Sequence, residues 1–278
     1  MTIVGRSKGV TRHKQEDLST FIGSLFYVHQ CFLEKHEGEE WFDKRFYIFE
    51  PTAGDARDKQ TSPIIILNGL LEKKRGFFFK YFGIDKTKKN YDDLEKNVGN
   101  YISKIEDKNE RDYFFENVHL KRGWAEEILP EISKEQHNKK LKQFGLIYID
   151  GNGFTHDLWK SGLELIKKWT YINFLMNFGT HQLKRNYGVG TSPKAKGDWK
   201  KYTKKLPQIL EELQKIKTKV YVRSNLETSW TRRGDSKFIF LFGTNFEGYG
   251  LHKNHKKIGH KFHDVESEKG QEIITRLT

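Results

Sequence analysis

Apolar residues along this chain gather in short runs, and the segments between them repeat their apolar positions at helical spacing. Runs of this length that end in turn-forming residues predict buried strands, here at Arg45–Glu50, Phe77–Ile84, Phe144–Ile149, Tyr171–Phe178 and Lys237–Thr244, with a shorter one at Asn117–Leu120. Between Gln15 and Lys35, Leu18, Phe21, Ile22, Leu25, Phe26, Val28 and Phe32 mark an amphipathic helix whose apolar face packs most simply on a sheet. Ser62 and Pro63 read as an N-cap followed by Pro at the first helical position, opening a helix that runs to Lys74. Further helices are expected at Lys88–Lys104, Ala125–Ile132 and Asp157–Trp169. Strands alternating with helices predict an α/β fold, Rossmann-like, with a mainly parallel sheet covered by helices on both faces.

The chemistry sits at the strand ends. The first run ends at Glu50 and breaks into Pro51-Thr52-Ala53-Gly54, a small-residue turn where a ligand can lie against bare backbone. The second ends at Asp85 and the fourth at Asp150. Open α/β sheets bind ligands outside the carboxyl ends of their strands, and an acid after the second strand commonly holds ribose hydroxyls. Turns also favour Asp for local reasons, so each acid alone reads equally well as a turn former. Neither G-x-G-x-x-G nor G-x-x-x-x-G-K-[ST] occurs, so a pyrophosphate cradle is not indicated.

Composition adds a partner. The 278 residues suit one domain, with residues 1–40 an arm and helix and 184–235 a basic insertion. Lysine and arginine number 50 against 37 acids, a net charge of +13, and 14% of residues are aromatic. Cationic surface with stacking groups is the material of nucleic-acid grooves, although base usage in the source genome also yields lysine-rich chains. Between residues 184 and 205, Lys184, Arg185, Lys194, Lys196, Lys200, Lys201, Lys204 and Lys205 face Asp198 alone, a balance of +7. Tyr187, Trp199 and Tyr202 are interleaved there, a mixture suited to phosphate contact and base stacking. Exposure to water is the simpler account of any charged loop. The single cysteine, Cys31, excludes an internal disulfide and a Cys-based zinc site. No apolar leader or long apolar span appears, so a cytoplasmic location without membrane contact is expected. His252, His255, His260 and His263 form two H-x-x-H pairs, but the lysines around them oppose a dication, and no metal is expected.

The residues from Glu50 to Ala56 resemble the first motif of class I S-adenosylmethionine-dependent methyltransferases, in which an acid and a small-residue turn hold the methionine part of the cofactor. Phe82-Gly83-Ile84-Asp85 with Tyr91, Asp92 and Leu94 resembles their second motif, and Gly145 to Gly153 their fourth. The order of segments is similar to the three-Cys-motif partner family of predicted methyltransferases. That likeness includes Arg12-His13-Lys14, Ser62-Pro63-Ile64, Asn173-Phe174, Lys184-Arg185-Asn186 and Thr244 to Gly248. It implies S-adenosyl-L-methionine held by Glu50, Thr52, Ala53, Gly54, Asp85, Trp124 and Asp150. It further implies methyl transfer to DNA or RNA, with a protein partner and the oligomeric state left open.

Two departures stand out. Asp150-Gly151-Asn152-Gly153 lacks the proline and stacking aromatic of the family's fourth motif, and Trp124 stands where an acid usually reads the adenine amino group. A methyl on a sulfonium needs alignment more than acid–base help. Asp150 is the expected catalytic residue, accepting hydrogens from an amino group, with Asn152 as a further polar contact and Phe154 as a stacking face. The alternatives are a non-catalytic methyltransferase-like nucleic-acid-binding protein and a metal-dependent nuclease built on Glu72-Lys73-Lys74.

Overall fold

The computed structural model describes residues 8–73, 77–150, 155–179, 206–224, 238–246 and 262–275. The chain opens with α1 (Lys8–Lys35), β1 (Phe42–Glu50), α2 (Ser62–Leu71), β2 (Phe79–Asp85), α3 (Lys88–Ile102) and α4 (Lys108–Asn117). It continues with β3 (Val118–Arg122), α5 (Ala125–Gln136), β4 (Lys142–Asp150), α6 (His156–Lys168) and β5 (Ile172–Gly179). The last elements are α7 (Leu206–Gln214), β6 (Lys219–Ser224), β7 (Phe238–Thr244), the two-residue β8 (His263–Asp264) and α8 (Glu268–Thr275).

All strands join one sheet of order β3-β2-β1-β4-β5-β7-β6-β8. The first five are parallel to one another. β7 enters antiparallel between β5 and β6, and β8 pairs antiparallel to β6. The fold is thus the expected Rossmann-like α/β architecture, and its order 3-2-1-4-5 reverses between β1 and β4, the place where such sheets open a crevice.

Alternation along the buried strands divides the core in two. Phe46, Ile48, Tyr81, Leu146 and Tyr148 pack with α1 to α4, whereas Tyr47, Phe49, Ile84, Ile147 and Ile149 pack with α5 to α8. β1 is buried on both faces from Phe46 to Glu50, which explains why its sequence reads as a continuous apolar run. The backbones of β1 and β4 run so close that a Cβ on Gly145 would stand 2.1 Å from the Tyr47 carbonyl oxygen.

Most predicted elements appear with shifted ends. The N-cap of α2 is Thr61 rather than Ser62, with no side-chain capping bond, and the helix stops at Leu71. α5 continues past Ile132 through Pro130, whose missing N–H leaves the Glu126 carbonyl to accept from Ser161 Oγ of α6 at 3.1 Å. α4 was not expected, because it buries little besides Phe114. Its signal is Asp107, which caps Glu110 N at 2.9 Å, with Glu110 itself at the third helical position. β6 and α7 were also missed, and β6 places residues 219–224 of the expected basic insertion within the main sheet.

His29 on α1 lies among Phe32, Phe46, Phe77 and Phe144, with ring centroids 4.8 to 6.2 Å away. Burial pushes its pKa from the ordinary 6.5 down to about 3. The folded ring stays neutral while the unfolded chain takes up a proton, so stability falls as pH drops from about 6.5 towards 3, by up to about 5 kcal/mol. His29→Phe should flatten this dependence when urea midpoints are measured between pH 7 and 4.5. An equal slope in the variant would assign acid sensitivity to other groups.

Candidate functional site

The parallel strands carry the predicted acids to one edge of the sheet. Glu50 ends β1, Asp85 ends β2 and Asp150 ends β4; β1 lies between the other two, so Asp85 and Asp150 flank it from strands roughly 10 Å apart. The turn after β1 is tied to both neighbours. Thr52 Oγ1 accepts from Asp150 N at 3.1 Å and donates to the Asp150 carbonyl at 3.4 Å, while Ala53 N donates to the Ile84 carbonyl at 3.0 Å. Gly54 then adopts φ +73°, a left-handed conformation that favours glycine, and a Cβ built there would meet nothing within 4 Å. The turn therefore presents bare backbone to open space. Asn97 of α3 supports it from behind, donating to the Asp55 carbonyl at 2.9 Å.

Glu50 is fully buried, and Tyr81 Oη donates to its Oε2 at 2.6 Å. Burial and the adjacent carboxylate hold the Tyr81 phenol far above its ordinary pKa, so it remains a donor. Gly83 pairs in register with Glu50, and any side chain there would press within 2.9 Å of the Tyr81 hydroxyl. The glycine of the second motif thus leaves room for the bond that satisfies the acid of the first.

Asp85 has both a local and an outward face. Its Oδ1 accepts from Thr87 N at 2.8 Å and Thr87 Oγ1 at 2.9 Å, and Oδ2 receives Asn90 Nδ2 at 3.4 Å. Thr87 in turn caps α3 through Asn90 N. One oxygen is therefore held by the turn, while the other has a single long contact among the described residues. Trp124 caps the start of α5, half-exposed, with Lys86 Nζ 4.5 Å from its ring centre, and Gly123 N donates to the Asp85 carbonyl at 3.1 Å. This places the indole beside Asp85 at the β2–β3 end of the edge.

Sequence reasoning missed Tyr81, Tyr148 and Asn177. Tyr148 precedes Asp150 by two residues on the Glu50 side of the sheet, and burial together with the charges of Asp150 and Glu50 raises its pKa far above the usual value. Asn177 of β5 pairs in register with Asp150 and donates from Nδ2 to Asp150 Oδ1 at 3.3 Å. The signal available was a polar residue inside an otherwise apolar strand. Asn173, in the same run, instead donates to the Gly145 carbonyl at 2.8 Å and serves the sheet. Asn152, Phe154 and the basic residues from Lys184 to Lys205 lie outside the described residues, as do His252, His255 and His260.

A groove of about 470 Å³ between α5 and α6, lined by Leu129, Pro130, Ser161 and Lys168, lies on the other face of the sheet from Glu50. No group of three or more His, Cys, Asp or Glu able to hold a metal occurs among the described residues. No helix among them is long and apolar enough to cross a membrane.

No family model matches the chain, and no curated protein matches it either. Solved structures resemble it at low identity. A protein from Legionella pneumophila is 13% identical over 82% of this chain and 85% of its own, with a TM-score of 0.44. A probable spermidine synthase from Corynebacterium glutamicum is 10% identical over 92% and 70%, with a TM-score of 0.43. An O-methyltransferase from Bacillus cereus, solved in complex with SAH, is 12% identical over 87% and 94%, with a TM-score of 0.41. Likenesses at this level say nothing of activity, and the residues of the crevice must speak for themselves.

Losing the Tyr81 hydroxyl strips a buried carboxyl group of a short donor. Tyr81→Phe should destabilise the fold by about 2 kcal/mol, the order expected for a hydrogen bond to a charged group. Urea denaturation measures this, and a loss under about 0.5 kcal/mol would show Glu50 amply satisfied by its other neighbours.

Proposed function

We propose that the protein is a class I S-adenosylmethionine-dependent methyltransferase that acts on nucleic acid. The observation that carries this reading is the turn after β1, where Gly54 at φ +73° has open space beside it in a turn that follows Glu50 and is hydrogen-bonded to the strands ending in Asp85 and Asp150. A cofactor made of a nucleoside joined to an amino acid fits such a set of acceptors. Acids suit its ribose hydroxyls and α-amino group, and bare backbone permits close approach.

In this reading Thr52, Ala53 and Gly54 carry the amino-acid end, and Glu50, fixed by Tyr81, holds the turn in place. Asp85 accepts from the ribose through Oδ2, while Trp124 offers a ring face beside it. Bound S-adenosylmethionine supplies a methyl group already activated on a sulfonium. The chain's task is then to align the acceptor and exclude water. Asp150, flanking the turn on its other side, meets the acceptor, and Asn152 and Phe154 extend that contact. The net charge of +13 and the basic, aromatic segment from Lys184 to Lys205 favour nucleic acid as the substrate.

A second reading keeps cofactor and nucleic-acid binding without transfer. Two observations favour it: Gly151 stands where the resembled motif has a proline, and Trp124 where an acid usually reads the adenine amino group. The nuclease reading is weaker, because Glu72 caps the end of α2 and Lys73 donates to the Gly23 carbonyl, so the acid and lysine serve a helix end rather than a strand.

Calorimetric titration with S-adenosylmethionine and S-adenosylhomocysteine tests the cofactor. Asp85→Ala should weaken binding by about 1 to 3 kcal/mol, the worth of a charge-assisted hydrogen bond. Unchanged affinity in a folded variant would remove Asp85 from the site. Labelled-methyl incorporation into mixed DNA and RNA separates enzyme from binder, and Asp150→Ala should abolish incorporation while cofactor affinity stays within a few-fold. Replacing Lys200, Lys201, Lys204 and Lys205 with Ala should flatten the salt dependence of nucleic-acid binding, since each lost phosphate contact releases about one fewer counterion. A wild-type slope in that variant would take the segment off the backbone.

A further inference from the structure

Where β4 and β5 end side by side, a second polar side chain meets Asp150. Asn177 is buried at 3% exposure and turns its Nδ2 towards Asp150 Oδ1 at 3.3 Å, which leaves the opposite atom of the amide, Oδ1, facing away from the carboxylate. That Oδ1 is buried and has no hydrogen-bond partner among the described residues, and the same holds for Tyr148 Oη. A buried acceptor without a donor costs roughly 1 to 3 kcal/mol, a cost that a ligand bringing an N–H removes.

We infer that Asn177 is a specificity-determining residue, which together with Asp150 holds a primary amino group of a nucleobase by both of its hydrogens. This rests on the methyltransferase reading of the same crevice and names its acceptor. The arrangement is one of acceptors: a carboxylate on β4 and an amide oxygen on the neighbouring strand, joined by their own hydrogen bond so that each orients the other. An –NH₂ group satisfies both. A carbonyl or hydroxyl supplies at most one hydrogen, and a site built around a donor rejects analogues lacking it more strongly than an apolar pocket rejects a change of size.

The buried Tyr148 hydroxyl is a donor on the same side of the sheet. Adenine and cytosine each place a ring-nitrogen acceptor beside their amino group, so their edge matches two acceptors and a donor. During transfer the N–CH₃ bond forms as the S–CH₃ bond breaks, and one of the two N–H protons leaves by way of Asp150. The methylated product keeps a single hydrogen and leaves one acceptor bare, so transfer stops after one methyl.

The test uses the whole protein and nucleoside probes, with affinities read by NMR from backbone amide shifts, which every variant retains, while in the wild type the Asn177 side-chain amide, assigned by its loss in Asn177→Leu, is followed as well and is the site signal. Adenosine and cytidine should shift that signal and bind at least ten-fold more tightly than purine riboside, uridine, N6-methyladenosine or N4-methylcytidine. Asn177→Leu should erase the preference while S-adenosylhomocysteine affinity stays within two-fold, and Asn177→Asp, which keeps an acceptor oxygen, should retain it. Equal binding of amino, deamino and N-methyl probes by the wild type overturns the inference, as does a preference that survives in Asn177→Leu. Cofactor titration separates the two readings. An amino preference without S-adenosylhomocysteine binding leaves the inference standing and removes the methyltransferase reading, whereas cofactor binding without the preference does the reverse.

Discussion

The full burial of Glu50 at the end of the central strand is the constraint around which the strand ends are organised. A carboxyl group so far from water is tolerated only with hydrogen-bonding partners, and Tyr81 supplies one from β2 at 2.6 Å. Reaching it requires a bare backbone at Gly83, where a side chain would collide with the Tyr81 ring. The turn that follows Glu50 is tied to β4 by Thr52 and to β2 by Ala53, so its path is set by both neighbouring strands. The strands thus fix the path of a turn that has open space beside Gly54.

The acids of the edge are each held by hydrogen bonds from the protein itself. Asp85 organises Thr87 and, through it, the start of α3, and only its second oxygen remains lightly engaged among the described residues. Asp150 meets Thr52 through its backbone and Asn177 through its carboxylate. Each acid is therefore oriented by the protein's own hydrogen bonds.

Contacts distant in sequence hold the late strands to the early chain. Arg223 on β6 pairs with Asp17 on α1 at 2.6 Å, both nearly fully buried, across 206 residues. Breaking a buried pair by removing one partner leaves an uncompensated charge, so this bond is a strong constraint on where α1 lies. Phe21 of the same helix meets Phe242 of β7 edge-on at 4.9 Å. The N-terminal helix accordingly covers the sheet from its central strands to β6, on the side that carries Glu50 and Asn177.

Much of this was legible in the sequence because its causes are local. Apolar runs bounded by turn formers marked β1, β2, β4, β5 and β7, since a strand buried on both faces has no polar side to show. The acids at positions 50, 85 and 150 could be read as a set because parallel strands carry their C-terminal ends to one edge. Elements with little burial escaped, as α4 did, because periodicity reports a buried face. The tertiary structure alone decided the antiparallel entry of β7, the bond from Tyr81 to Glu50 and the pairing of Asn177 with Asp150. Those contacts join residues 31 and 27 positions apart or more, and their geometry follows from strand register, which no local pattern of side chains encodes.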